Sequence, residues 1–283
     1  MTPSPALTAP VLVTGCSSGI GRATALRLAG GPRPVYATAR RLADLRDLER
    51  AGCRTLALDV TEEDSLRAAV DRVESACGGG LGALVNNAGY GEYGPVEEVT
   101  LAAVRRQFET NVFGLLRLTQ LVLPGMRARR AGRIVNVSSM AGRMTLPGGG
   151  VYHASKYAVE ALTDALRFEL RGFGIAVSLV EPGPVHTQFV EEATSVTSSS
   201  GPYAAFRAGV ARRNAAAYAG PAARFASSAD DVARVIVKAI ESSRPRARYL
   251  VGPTSRALVR SRAFLPTAVW DAVLRTQYPT PRA

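Results

Sequence analysis

Val11-Leu12-Val13-Thr14-Gly15-Cys16-Ser17-Ser18-Gly19-Ile20-Gly21 is the stretch on which the fold turns. An apolar run suited to a buried strand passes directly into a glycine-rich turn, and Arg22 to Ala29 continues as a helix. Strand, glycine turn and helix in that order let backbone N–H groups and a helix N-terminus hold a pyrophosphate. Gly15 permits the tight turn, Gly19 lets a ligand approach the backbone, and Gly21 lets helix and strand pack closely. Ser17, Ser18 and Ile20 complete the candidate phosphate-facing loop. The spacing G-x-x-x-G-x-G departs from the commoner G-x-G-x-x-G, and a plain βα turn remains the alternative.

Outward from this turn, the chain keeps alternating strand and helix signals. A strand near Val35–Thr38 ends at Ala39-Arg40-Arg41, followed by a helix over Leu42–Ala51 and a strand over Thr55–Leu58 closed by Asp59. A helix over Glu62–Cys77 and a strand over Ala83–Val85 follow, the latter meeting Asn86-Asn87-Ala88-Gly89. Further strands are expected at Arg133–Val137, Ile175–Val180 and Arg248–Val251. Such alternation argues for a parallel α/β sheet, doubly wound, with helices on both faces. In such a fold the end of the second strand meets the adenosine ribose. A carboxylate there suits a free 2′-hydroxyl, whereas Arg40 and Arg41 suit a 2′-phosphate, so NADP(H) is expected over NAD. A solvated arginine pair is the competing reading. Asp59, closing the third strand, and the small Asn87-Ala88-Gly89 turn after the fourth join the candidate cofactor residues.

Tyr152 and Lys156 lie four apart on a helix expected to run to about Arg171, and so share one face. The chain has 35 basic residues but lysine only at Lys156 and Lys238, so a lysine here reads as specified. An ammonium beside a phenol favours the phenolate, which would make Tyr152 a general acid/base at neutral pH. Ser138-Ser139 ends the Arg133–Val137 strand, where ligands of open α/β sheets bind. Asn111 sits in an apolar helical region, Leu101–Arg130, expected to be interrupted near Asn111 and again at Pro124. A buried asparagine needs partners, so it either caps a local irregularity or bends the helix to hold a water. His153 and His186 read as hydrogen-bonded structural residues.

At 283 residues and 47% hydrophobic, the chain suits a single large core. The formal charge of +12 comes with no nucleic-acid-binding motif or clustered stripe, and arginine is scattered throughout. Cys16, Cys53 and Cys77 are odd in number and lack metal-ligand spacing, which points away from a disulfide framework or metal site and towards a reducing, cytoplasmic setting. No apolar run approaches about 18 residues, so stable membrane insertion is not expected. Residues 1–9 read as a mobile lead, 10–252 as the catalytic domain and 253–283 as a helical extension. Within the domain, 187–228 is expected to be a mobile substrate lid: polar at Thr194–Gly201, with Phe189, Val190, Tyr203 and Phe206 available to an apolar ligand. Ser228-Ala229-Asp230-Asp231 signals a capped helix. Arg256–Tyr278 reads as one amphipathic extension whose arginines more readily face solvent than an anionic membrane.

Taken together, Thr14–Gly21, Asn86–Gly89, Asn111, Ser139, Tyr152, Lys156 and the Pro182-Gly183 to Thr187 segment resemble the short-chain dehydrogenase/reductase family, over roughly Val11 to Gly252. The segments Gly15–Gly21, Tyr36–Arg40 and Gly183–Thr187 are most similar to its 17β-hydroxysteroid and retinol dehydrogenase branch. The family's serine-to-tyrosine spacing selects Ser139 over Ser138. The resemblance implies hydride transfer between NADP(H) and a carbonyl or alcohol, with Asn111, Ser139, Tyr152 and Lys156 as the catalytic set. It implies that Lys156 also holds the nicotinamide ribose, that Asn111 supports a proton-relaying water, and that Pro182, Gly183, Val185 and Thr187 line the cofactor. It further implies an apolar, steroid- or retinoid-like substrate and a homodimer or homotetramer built on the helices bearing Asn111 and Tyr152. A ketoreductase of secondary metabolism, an acyl-chain reductase and a non-catalytic dinucleotide sensor remain as alternatives.

Overall fold

The computed structural model describes residues 9–77, 80–187, 194–195, 200–219 and 221–281. Its centre is a seven-stranded sheet: β1 (Val11–Val13), β2 (Val35–Ala39), β3 (Arg54–Ala57), β4 (Ala83–Asn86), β5 (Gly132–Val137), β6 (Ile175–Pro182) and β7 (Arg248–Val251). In space the order is β7-β6-β5-β4-β1-β2-β3, and every neighbouring pair is parallel. Winding runs outward in both directions from β1 and β4, which opens a crevice above their carboxyl ends.

Helices α1 (Gly19–Leu28), α2 (Arg46–Arg50), α3 (Glu63–Cys77), α4 (Leu101–Phe108), α5 (Gly114–Ala128), α6 (Gly150–Glu169), α7 (Ala204–Ala219), α8 (Ala229–Glu241), α9 (Pro253–Phe264) and α10 (Thr267–Gln277) surround the sheet. The period-two alternation of a strand shows in β1: Val11 and Val13 pack with Ala25, Leu28, Val232 and Ile236 beneath α1 and α8. Leu12 faces the opposite layer with Leu66, Val70, Leu118 and Val122 of α3 and α5. Leu12, Leu84, Leu118 and Ile134 are fully buried, and truncating any one to alanine costs about 2–5 kcal/mol.

The expected interruption at Asn111 is a π-helical turn over Glu109–Phe113, inserted between α4 and α5. The expected interruption at Pro124 is absent, since α5 runs through it to Ala128. Pro124 and Gln120 both lie on the solvent side, where water can replace the missing N–H, while Leu118, Val122 and Met126 stay packed on the inner side. Of the long loop expected over 187–228, the described residues from 204 onward are largely helical, over Ala204–Ala219 and Pro221–Phe225. α7 is tied to the body by a buried Arg207–Glu98 ion pair, and Tyr203 Oη donates to Glu97 at 2.6 Å. Phe189 and Val190 lie outside the described residues, as does the lead through residue 8. The C-terminal extension is two helices rather than one, broken at Leu265-Pro266, where proline disfavours helical geometry in the residue before it.

Candidate active site

The glycine turn between β1 and α1 is held from below by the chain that follows β4. Thr14 Oγ1 accepts from the backbone N–H of both Asn87 and Ala88 at 3.0 Å. Asn87 Nδ2 returns hydrogen bonds to the carbonyls of Thr14 (2.9 Å) and Gly15 (3.1 Å). Gly15 and Gly19 adopt φ of +70° and +54°, which glycine alone takes without strain. A Cβ on Gly21 would stand 2.2 Å from the Gly15 carbonyl, so no side chain fits there. Ser18 is extended at the start of α1 and makes no side-chain cap, leaving the first-turn N–H groups for a ligand. A dinucleotide pyrophosphate therefore fits this cradle, with Ser17, Ser18, Gly19 and Ile20 around it.

Four expected catalytic residues converge beside the cradle. Ser139 follows β5; its hydroxyl accepts from Ala141 N–H at 3.1 Å to cap the next turn and lies close enough to the Tyr152 phenol to oppose the rise in its pKa. Ser138, by contrast, is buried. Lys156 Nζ donates to the Val137 carbonyl at 3.0 Å and lies 5.9 Å from the Tyr152 ring centre. Asn111 Nδ2 donates to the Tyr90 carbonyl (3.0 Å) and to Ser155 Oγ (3.1 Å), while its Oδ1 accepts from Tyr90 N–H (3.1 Å). Asn111 thus fastens the π-helical turn to α6 and to the segment after β4. A Cβ on Gly89 would come within 2.9 Å of Asn111 Oδ1 and 3.7 Å of Lys156 Nζ, so that glycine lets all three approach.

The charge state differs from the sequence expectation. Burial pushes the Tyr152 phenol up to about 12, against the opposing hydrogen bond from Ser139. Lys156 does not depress it, because its ammonium is directed to a backbone carbonyl. Burial also pulls Lys156 down to about 8, with the Glu160 carboxylate opposing that fall. Without a ligand the tyrosine is a protonated acid, ready to give a proton and not to take one.

Arg40 stands exposed just past β2 without an ion-pair partner among the described residues, whereas Arg41 is committed to Asp44 at 3.0 Å. Asp59, at the end of β3, accepts from Thr61 N–H and Oγ1 and so shapes the turn into α3. At the end of β6 the Pro182 carbonyl accepts from Ser139 at 3.5 Å, and beyond it Gly183 N–H donates to the Val251 carbonyl and buried Val185 pairs with Ser227. The Thr187 methyl would lie 3.2 Å from a Cβ on Gly19, which brings this segment over the glycine loop. His153 Nδ1 bonds the Ala141 and Met144 carbonyls, and His186 bonds the Ala223 carbonyl, so both histidines are structural.

Two aromatic residues at the site escaped sequence reasoning. The Tyr93 ring lies 5.7 Å from that of Tyr152, and Tyr218 of α7 is close enough to raise its pKa. Tyr93 follows the glycines after β4, but nothing local distinguishes it from a surface tyrosine. Of the lid residues expected to meet a ligand, Tyr203 is spent on Glu97 and Phe206 packs edge-on against Tyr203.

A doubly wound parallel sheet carrying a glycine cradle and a Ser–Tyr–Lys group at its carboxyl edge defines a Rossmann-type oxidoreductase. The family model described as short chain dehydrogenase matches residues 9–197. An uncharacterized oxidoreductase, YbbO, of Escherichia coli K12 is 38% identical over 94% of this chain and 93% of its own. Retinol dehydrogenase 8 of Bos taurus is 38% identical over 91% and 86%. Among solved structures, a serine dehydrogenase complexed with NADP+ superposes with TM-score 0.75 at 26% identity, covering 87% of this chain and 95% of its own. A short-chain dehydrogenase/reductase from Burkholderia phymatum in complex with NAD gives 0.77 at 28%, covering 98% of each chain. The chain belongs to the short-chain dehydrogenase family.

Proposed function

We propose that the protein is an NADP(H)-dependent oxidoreductase that interconverts a carbonyl and a primary or secondary alcohol. The observation that carries this reading is the convergence of Ser139, Tyr152 and Lys156 next to the glycine cradle, with Lys156 Nζ 5.9 Å from the Tyr152 ring centre and Ser139 close enough to act on the phenol. The bound nicotinamide supplies or accepts hydride. In reduction, Tyr152 Oη holds the proton destined for the substrate oxygen, and Ser139 donates a hydrogen bond to that oxygen as charge builds on it. Lys156 and Tyr152 hold the nicotinamide ribose, and Pro182, Gly183, Val185 and Thr187 flank the same half of the cofactor. Asn111 keeps the Tyr90 segment and α6 in register, so that Lys156 stays aligned. For oxidation, the phenol must first lose its proton, which a charged Lys156 close to bound ribose favours.

Because the structural relatives include both NADP+ and NAD complexes, the choice of NADP(H) rests on Arg40, a cation without an ion-pair partner among the described residues and placed where a 2′-phosphate would lie. The substrate reading is an apolar, steroid- or retinoid-like carbonyl or alcohol. It is supported by the rings of Tyr93 and Tyr218 about Tyr152 and by the likeness to retinol dehydrogenase 8. Purified protein assayed with NADPH and NADP+ against steroid, retinoid and aromatic carbonyl–alcohol pairs should turn over at least one apolar pair. It should also prefer NADPH to NADH in a binding titration, and equal affinity for the two would overturn the role of Arg40.

A further inference from the structure

Beneath Lys156 lies a cluster of charges that the proposed reaction does not itself consume. Glu160, one turn beyond Lys156 on α6, is 5% exposed, and Glu181, near the end of β6, is 0% exposed. Arg248, opening β7, donates to Glu160, to Glu181 Oε1 at 2.5 Å and to Asp164. Arg143, in the segment after Ser139, reaches Glu181 at 3.3 Å. One guanidinium therefore joins α6 to the end of β6, and Glu181 extends the link to the loop carrying Ser139. Among the described residues, Glu160 Oε1 and Glu181 Oε2 are buried without a hydrogen-bond partner of good geometry, and the Ser138 hydroxyl lies close enough to act on Glu160, so Arg248 does not exhaust the two carboxylates.

Among the described residues, the groups in contact with Lys156 are neutral. It faces the Val137 carbonyl of β5, the Tyr152 ring on its own helix and Gly89 after β4. Glu160 faces Arg248 from β7, Glu181 from β6, and the Ser138–Gly142 segment, with Asp164 one turn further along its own helix. A buried ammonium whose hydrogen bond goes to a neutral carbonyl needs a counter-charge, and Glu160, buried four residues along the same helix, is the carboxylate whose charge acts on it across space, without a direct ion pair.

We propose that Glu160 is a positioning residue: its buried carboxylate, held by Arg248, keeps the Lys156 ammonium charged within the apolar interior. The consequence for catalysis rests on the proposed role of Lys156, but the charge coupling does not. The signs are consistent. Glu160 is raised to about 7 by burial and by Glu181, so it becomes charged as pH rises through that value. Lys156 stays charged up to about 8, with Glu160 holding it there. Removing the Glu160 charge should bring the loss of the Lys156 proton to lower pH.

The protein's two lysines, Lys156 and Lys238, make this directly measurable. With selectively 13Cε-labelled lysine and no cofactor or substrate present, the full chain shows two titrating signals, assigned with Lys238→Arg. In Glu160→Gln, which retains an acceptor for Arg248, the Lys156 midpoint should fall by about one pH unit while exposed Lys238 stays put. Asp164→Asn, which also removes an Arg248 partner, should leave Lys156 unmoved. An unchanged Lys156 midpoint in folded Glu160→Gln would overturn the proposal. If that variant does not fold, the unmodified protein decides: its Lys156 signal should move in two steps, first as Glu160 charges and then with its own titration, and a single step would overturn it. A Lys156 shift in a protein that reduces no carbonyl keeps this coupling and defeats the proposed reaction, whereas turnover without the shift does the reverse.

Discussion

At the scale of single residues, the site is governed by burial as much as by neighbours. Tyr152 and Lys156 read from the sequence as a pair in which the cation lowers the phenol, but burial raises Tyr152 to about 12 and lowers Lys156 to about 8. The spacing on one helix was legible because it is local. The direction of the ammonium towards Val137 was not, since it depends on a strand distant in sequence. Lys156 is charged below its depressed value and loses its proton as pH rises through about 8. Carbonyl reduction should therefore decline across that range in a kcat/KM profile, and a profile flat from neutrality to strongly alkaline pH would contradict this. Gly21 was legible for the same local reason as the tyrosine–lysine pair. Gly21→Ala places a methyl group 2.2 Å from the Gly15 carbonyl. Fluorescence titration with NADPH should show binding weakened at least tenfold, and unchanged affinity would mean that the cradle is not the pyrophosphate site.

At the scale of elements, the strands and most helices could be read because hydrophobic periodicity and turn chemistry agree. The start of α8 is an example. Ser228 Oγ accepts from Asp231 N–H and the Asp231 carboxylate accepts from Ser228 N–H, the capping box anticipated from the sequence. Ser228→Ala should cost about 1 kcal/mol in urea-induced unfolding with the m-value unchanged. α7 was hidden because its outward alanines and arginines show no strong apolar stripe; its anchors, Glu97 and Glu98, lie in another part of the chain. Arg207 is buried against Glu98. Arg207→Met leaves a carboxylate without its cation, so hydrogen exchange should accelerate across 204–219 more than in the central sheet. Equal protection in the variant and the unmodified protein would show that other contacts hold the helix.

At the scale of the whole molecule, βα alternation conveyed the doubly wound sheet, while subunit association needs surfaces that sequence periodicity only hints at. α6 presents Ala154, Tyr157, Ala161, Ala165 and Phe168 outward at helical spacing, and Phe168 is 79% exposed. Phe113, in the neighbouring π-helical turn, is 50% exposed. Exposed aromatic surface of this kind suits association, and a homodimer or homotetramer built on it is the expected outcome. Light scattering coupled to size exclusion should report such a species for the unmodified protein and a monomer for Tyr157→Glu combined with Phe168→Glu. A monomeric unmodified protein would refute it.

The central claim, that Tyr152 donates the proton that accompanies hydride transfer, is tested most directly by Tyr152→Phe assayed at saturating NADPH with whichever carbonyl substrate the unmodified protein reduces. The substitution keeps the ring against Tyr93 and removes only the hydroxyl. NADPH affinity should stay close to that of the unmodified protein while turnover falls by about 10²–10⁴-fold. Retention of full turnover in the phenylalanine variant would contradict the account.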